Sequence, residues 1–498
     1  MKLLSIAQLM ETSDVGFGTS GARGLVERMT DEICYAYAMA FLQHLEQVRG
    51  TSRDTPVAIS GDLRPSTERI LTACAAAIRD RRHPLVHTGR IASPAIAHYG
   101  LMKHIPTLMV TGSHIPDDRN GIKFNHAEGE ILKEDEAQIR IQQVELPDER
   151  FTPEGFLATP EPLPPVQREA EEEYIRRYLA FFPPNCLSGR RIGLYEHSTV
   201  LRDTLHRILS ELGAEVVRLG RSDRFIPVDT EAIRPEDVKL AREWASQQSL
   251  DCIVSADGDG DRPLISDEHG EWLRGDVAGI LCARYLHAHT VVTPVSSNTA
   301  VELCEWFPQV IRTQIGSPYV ITAMNEAVSE GKQPVVGYEA NGGFLTASDI
   351  ERDGRRLSAL PTRDATLVIL AILELAREKG CTISQLLKDL PHRFTTSDRI
   401  RAFPTARSHA KLEWLNPTDE KIARQRIQTV FGDHLGEVAS IDTTDGLRIT
   451  FDNGEVVHLR PSGNAPELRC YNEADSPERA EALRAFCMEI LGSWKEER

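Results

Sequence analysis

The chain has 498 residues, and roughly 150 residues per domain predicts three or four domains. Apolar residues make up 41 % and charged residues 26 %, the make-up of a soluble globular chain that buries several cores. The net charge of −17 argues against nucleic acid or an anionic membrane as partner, while leaving room for a local basic pocket around a small anion.

The first segment, MKLLSIAQLMETSD, has a short apolar stretch followed by acids and reads as part of the mature protein, not a signal peptide. No run of 18 apolar residues occurs, so no membrane helix is expected. Nine cysteines without a CxxC spacing point to a reducing compartment, the cytoplasm.

Next comes FGTSGARG, residues 17–24, a glycine-rich segment with Arg23 that could lie over a phosphate. It lacks the Walker spacing, and alone it is weak. The strand TLMV then runs into TGSHIPDDRNGIKF, ending at residue 124. In open α/β sheets ligands gather at the carboxyl ends of strands, which places Ser113 and His114 at a site. Gly112 permits close backbone approach. Asn120-Gly121 is expected to form a tight turn that returns Lys123 toward Ser113. A serine beside cationic groups suits a nucleophile or phosphate carrier; an ordinary surface turn is the bland alternative.

A proline-rich stretch from Leu146 to Val166 excludes helix and central strand and reads as a linker into the helix QREAEEEYIRRYLAFF. RRIGLY, LRDTLHRILSELG and EVVRLG follow as strand, helix, strand, with Leu205, Ile208, Leu209 and Leu212 on one helix face. The apolar strand LDCIVSA then runs directly into Asp257, Asp259 and Asp261. Three alternate carboxylates repel one another unless they share a hard cation of the Mg²⁺ type. An EF-hand loop is excluded: Glu268 fits its twelfth position, but Arg262 stands at the sixth, where glycine is needed, and Pro263 follows.

Helices VAGILCARYLHA, TAVELCEWF and PYVITAMNEAVSEG alternate with strands TVVTPV, QVIRTQI and PVVGY, a βαβ pattern. The last strand opens the loop EANGGF, where Glu339 and Asn341 suit neighbouring sugar hydroxyls. The final hundred residues read as hairpins plus helices, with Asp-Gly and Asn-Gly turns, hence α+β. There EVVHL leads into RPSGNAPELRCY. Arg460, Ser462, Gly463, Asn464 and Arg469 combine cations, hydroxyl, amide and backbone N–H groups into a phosphate cradle.

A hydroxyl nucleophile, a metal loop, a diol-recognition loop and a phosphate cradle are the parts that phosphoryl transfer on a phosphosugar needs. Their order along the chain, TGSH with NGIKF, DGDGDR, a G-x-E-x-x-G loop and RPSGNAPELRCY, resembles the α-D-phosphohexomutase superfamily, most of all its bacterial phosphomannomutase and phosphoglucomutase branch. The resemblance implies three mixed α/β domains and a C-terminal α+β domain around a central cleft. The corresponding boundaries are 1–160, 161–262, 263–385 and 386–498. It implies a hexose 6-phosphate to hexose 1-phosphate isomerase, mannose first and glucose or glucosamine as alternatives, with Mg²⁺ and hexose 1,6-bisphosphate. Ser113 matches the phosphoserine and completes the metal site of Asp257, Asp259 and Asp261. Lys123 matches the general acid/base, with Arg23, Arg262 and His114 also catalytic. Gly337, Glu339 and Asn341 match the sugar loop, and Arg460, Ser462, Gly463, Asn464 and Arg469 the phosphate loop. The chain departs from the family where Asn341-Gly342-Gly343 replaces the usual Ser-Gly-His, Asn464-Ala465 replaces Thr-Glu, and Ile115 replaces Asn. A metal-dependent sugar phosphatase and a non-catalytic phosphosugar scaffold are the competing classes. Oligomeric state is left open.

Overall fold

The structure is a computed structural model and describes residues 2–18, 21–462 and 466–496. Gly463 and Asn464 of the expected phosphate cradle, and Thr19-Ser20 of the N-terminal glycine-rich segment, lie outside the described residues. The chain divides into two compact units, Met1–Val291 with Met324–Leu387, and Val292–Ala323 with Lys388–Arg498.

In the first unit, strands Val57–Gly61 and Thr107–Val110 are buried throughout, which their uninterrupted small and apolar residues require. They pair in parallel, and Leu85–His87 joins the other side of Val57–Gly61. Helices Asp31–Val48, Thr67–Asp80 and Ser93–Lys103 belong to the same α/β layer system. Helix Asp31–Val48 starts where Thr30 accepts the Ile33 amide.

The sheet continues antiparallel through Arg119–His126 and Gly21–Leu25. This corrects the expected turn at Asn120-Gly121: both residues lie inside strand Arg119–His126. Asn120 bonds within the unit, its Nδ2 donating to Ser66 Oγ at 2.8 Å. Gly121 serves close strand approach, since a Cβ there would meet Ala22 O at 2.7 Å and Thr111 O at 2.9 Å. Lys123 therefore reaches the site by register, opposite Met109 on one side and Gly21 on the other.

A second sheet has the order Glu215–Leu219, Arg191–Tyr195, Cys252–Ala256, Pro263–Ile265; the first three strands are parallel and the last is antiparallel. Val335–Tyr338 and Phe344–Thr346 form an antiparallel hairpin around the sugar-loop sequence. Helix Ala365–Lys379 follows, capped by Asp364, whose side chain accepts the Thr366 and Leu367 amides.

The second unit carries a five-stranded antiparallel sheet ordered Phe394–Arg401, Glu467–Ala474, Val456–Pro461, Leu447–Phe451, Val438–Asp442. Helices Thr405–Leu415, Glu420–Leu435 and Pro477–Glu496 accompany it, the α+β pattern read from its turns. The expected helix over TAVELCEWF shrinks to Ala300–Leu303. Glu305 has φ 54°, and Pro308 disfavours helical backbone at Phe307. Among the described residues no helix is long and apolar enough to cross a membrane.

Candidate active site

Ser113 sits three residues beyond strand Thr107–Val110, with φ 56°. That left-handed backbone is costly for a residue with a Cβ, and the surroundings hold it there. Its amide donates to Thr111 Oγ1 at 2.8 Å. Arg64, 1 % exposed, donates from Nη2 to Ser113 O (2.9 Å) and Ile115 O (2.6 Å), and from Nη1 to Pro116 O (2.7 Å). Asp62 pairs with Arg64 Nε at 3.0 Å, and Phe225 lies 4.0 Å from its guanidinium. Gly112 makes room for this arginine, because a Cβ there would meet Arg64 Cζ at 2.6 Å.

The aspartate loop leaves buried strand Cys252–Ala256 and meets the serine loop directly. A Cβ at Gly258 would lie 2.6 Å from Ser113 O, so glycine is what lets the loops touch. Ser113 Oγ donates to Asp257 Oδ2 at 2.6 Å, and His114 Nδ1 lies 3.4 Å from the same hydroxyl. Carboxylate oxygens of Asp257, Asp259 and Asp261 fall within 4.8 Å of one another, all buried. Asp259 Oδ1 and Asp261 Oδ1 are buried without a hydrogen-bond partner. Buried carboxylate oxygens left without hydrogen bonds in so close a triplet fit a hard divalent cation.

The electrostatics divide the triplet. Burial, then Asp259 and Asp261, push Asp257 well above the usual carboxylate range. Burial also acts against Asp261, but Arg363, Lys123 and Arg262 outweigh it and hold that group below the ordinary value. Burial and Asp261 oppose ionisation of Asp259, yet Lys123 and Ser93 bring it down. Lys123 Nζ bridges Asp259 Oδ2 and Asp261 Oδ2, each at 2.6 Å, while Ser93 Oγ donates to Asp259 Oδ2 at 2.5 Å. Burial works to neutralise Lys123, but the two carboxylates prevail and raise its pKa. A lysine needs a lowered pKa to shuttle protons. Here the two carboxylates hold Lys123 as their counter-ion. Burial, then Arg262, drives His114 down to about 3, so it is neutral, and Arg262 Nη1 donates to its Nδ1 at 2.9 Å. Arg23 is lowered to about 10 by burial and then by Arg262.

Glu339 and Asn341 follow strand Val335–Tyr338 and are buried. Asn341 Oδ1 accepts the Gly343 amide at 2.9 Å, and Asn341 O accepts Thr230 Oγ1 at 2.6 Å, so this side chain also braces its own loop. Gly337 is not in the loop. It lies mid-strand, paired with Leu345, two residues before Glu339. In the second unit Arg460 and Arg469 are directly opposed on adjacent strands, not on the loop between them. Arg460 Nε donates to Asp445 Oδ2 at 2.8 Å, and Ser462 is buried at the end of its strand.

With this geometry in hand, the comparisons agree. Models for phosphoglucomutase/phosphomannomutase domain I, domain III and the C-terminal domain match residues 14–146, 274–394 and 417–490. A phosphomannomutase of Salmonella muenchen is 44 % identical over 95 % of this chain and 94 % of its own. The chain belongs to the phosphoglucomutase/phosphomannomutase family. A Sinorhizobium fredii phosphomannomutase is 43 % identical over 96 % of this chain and 98 % of its own. Two solved structures share the fold. One is a Burkholderia thailandensis family protein (TM-score 0.72, 18 % identity, 99 % and 98 % covered). The other is the open form of Paramecium parafusin, a phosphoglucomutase (0.71, 15 %, 95 % and 94 %). As a family member the chain is a phosphohexomutase, an isomerase of carbohydrate metabolism acting on a phosphosugar.

Sequence reading missed three residues of this mutase's site. Arg64 carried a signal, since DLRPS follows the buried strand Val57–Gly61 as TGSH follows its neighbour. Ser93 and Arg363 carried none. Arg363, nearly fully buried, donates from Nε to Asp261 Oδ2 at 3.0 Å and from Nη1 to Glu339 Oε2 at 3.3 Å.

Proposed function

We propose that this phosphohexomutase interconverts mannose 6-phosphate and mannose 1-phosphate through phosphorylated Ser113 and a hexose 1,6-bisphosphate. One observation carries the phosphoryl-transfer reading: Ser113 Oγ, on a braced left-handed backbone, aims at Asp257 inside a buried carboxylate triplet. The names of two relatives at 43 % and 44 % identity, both phosphomannomutases, support mannose. The four modules bounded at 160, 262 and 385 remain part of the proposal.

Asp257, Asp259 and Asp261 would hold Mg²⁺, together with a phosphate oxygen on Ser113. When bound, the ion neutralises charge on the transferring group. The rest is the work of the chain. Arg64 fixes the Ser113 carbonyl and thereby the direction of Oγ. The phosphorus–Oγ bond breaks as a sugar hydroxyl bonds to phosphorus, and the hydroxyl proton passes to the departing Ser113 Oγ, with Lys123 as the shuttle. Arg262 and Arg363 supply fixed positive charge around that transfer. Glu339 would orient the sugar by its hydroxyls. Arg460, Ser462, Gly463, Asn464 and Arg469 would take the phosphate that does not react, and Arg23 would act beside Arg262 and Asp259.

The test is ³¹P NMR of mannose 1-phosphate and glucose 1-phosphate in parallel, with Mg²⁺ and a trace of glucose 1,6-bisphosphate. The expected result is exchange to the 6-phosphate, fastest for mannose and stopped by chelation. Release of inorganic phosphate would identify a phosphatase instead. Faster exchange with glucose would overturn the mannose assignment.

A further inference from the structure

Gly343 stands in the sugar loop at a position where a Cβ would lie 2.4 Å from Arg363 Cδ and 2.6 Å from Arg363 Cγ. Its φ is not in the left-handed region, so backbone conformation does not call for glycine there. Space does. The aliphatic part of Arg363 fills the volume any side chain at 343 would need, and its guanidinium continues to Asp261 on one side and Glu339 on the other.

Both neighbours of Arg363 are tied down independently. Thr362 Oγ1 donates to Glu130. Asp364 accepts from Tyr174 at 2.8 Å and from Tyr178, both on helix Glu169–Phe181, while capping helix Ala365–Lys379. A buried arginine with its backbone anchored on both sides loses little further entropy in holding two carboxylates at once. We propose that Arg363 is the positioning residue that holds Glu339 at a set distance from the aspartate triplet, and that position 343 is glycine to admit it. Arg363 touches neither reacting group. It acts through Glu339, by orienting a carboxylate, and through Asp261, by offsetting its charge. The Glu339 half rests on the phosphohexomutase reading, and the Asp261 half does not.

The test uses the full chain with Arg363→Met, Arg363→Lys, Gly343→Ala, Glu339→Gln and the double variant Arg363→Met/Glu339→Gln. Steady-state kinetics with mannose 1-phosphate are paired with calorimetry of Mg²⁺ alone and with thermal melts. Arg363→Met is expected to raise KM about tenfold or more, as Glu339→Gln does, and the double variant to be no worse than either single. Arg363→Lys recovers part of the loss, because it keeps the charge without the fork. Gly343→Ala reproduces the KM effect by displacing the arginine. Mg²⁺ alone is expected to bind Arg363→Met about tenfold more tightly, since a cation beside Asp261 is gone.

A general loosening would instead lower the melting temperature and the active fraction with KM unchanged; that result, or additive losses in the double variant, overturns the Glu339 half. Unchanged or weaker Mg²⁺ binding overturns the Asp261 half. If Arg363→Met does not fold, Arg363→Lys and Gly343→Ala decide by the same criteria. If the wild type fails to exchange hexose phosphates, the functional reading falls and the calorimetry still judges the contact to Asp261.

Discussion

The two arginine-bearing regions of this protein treat charge in opposite ways. In the first unit, Arg64 and Arg363 are buried, and each is matched to carboxylates that were buried with it. In the second, Arg460 and Arg469 lie half-buried on facing strands, and Arg460 pairs with Asp445. Buried pairs cost desolvation, and removing one partner strands the other. Partly exposed cations cost little to keep charged. The first region is accordingly built to hold geometry, and the second is the one proposed to take a phosphate.

Substitutions should separate these two designs. The largest effect is expected from Ser113→Ala, which should lower interconversion by roughly 10⁴-fold or more while phosphosugar binding survives; retained turnover in the same NMR assay would remove Ser113 as the carrier. Arg64→Met should come next. Stranding Asp62 and freeing the serine-loop carbonyls is expected to cost about 3–5 kcal/mol in a denaturant melt, a cost that a rim arginine cannot match.

Gly258→Ala is an intermediate case. The added methyl would press on Ser113 O, and overpacking of this kind costs about 1–3 kcal/mol. The expected signature is a fall in kcat larger than the fall in melting temperature implies. Arg469→Ala should leave stability near wild type and raise KM about tenfold, the loss of one charge-assisted hydrogen bond. Equal KM effects from Arg469→Ala and Lys123→Ala would erase the contrast between the regions.

A pH dependence gives a separate test. His98 is held down to about 3, by burial first and then by Arg177. The unfolded chain therefore binds a proton that the folded chain refuses. The stability tied to a neutral His98 is complete above pH 6.5 and is lost progressively as pH falls toward 3. His98→Gln should flatten the melting temperature between pH 6.5 and 4 relative to wild type. Parallel curves would show that other groups govern acid stability there.

Much of this site could be read in the chain. Alternating Asp residues after the apolar strand Cys252–Ala256 announce a cation loop, because like charges so close need a common partner. Ser113 follows its strand in the same way, and the Asp-Gly and Asn-Gly turns of the last sheet fall where the alternation breaks. Asn120-Gly121 misled for a physical reason: the dipeptide favours a turn, but a glycine also permits close strand approach, and spacing alone does not separate the two.

What sequence determined here is local: which runs are strands, which loops carry carboxylates or a hydroxyl, and the order in which they come. Tertiary structure alone decided which distant groups share those loops. Arg64 lies 49 residues from Ser113, and Arg363 lies 102 from Asp261. Contacts at such separations have no periodicity to betray them, because they are fixed by how whole sheets and helices pack. The same packing set Lys123 against two carboxylates 136 and 138 residues away.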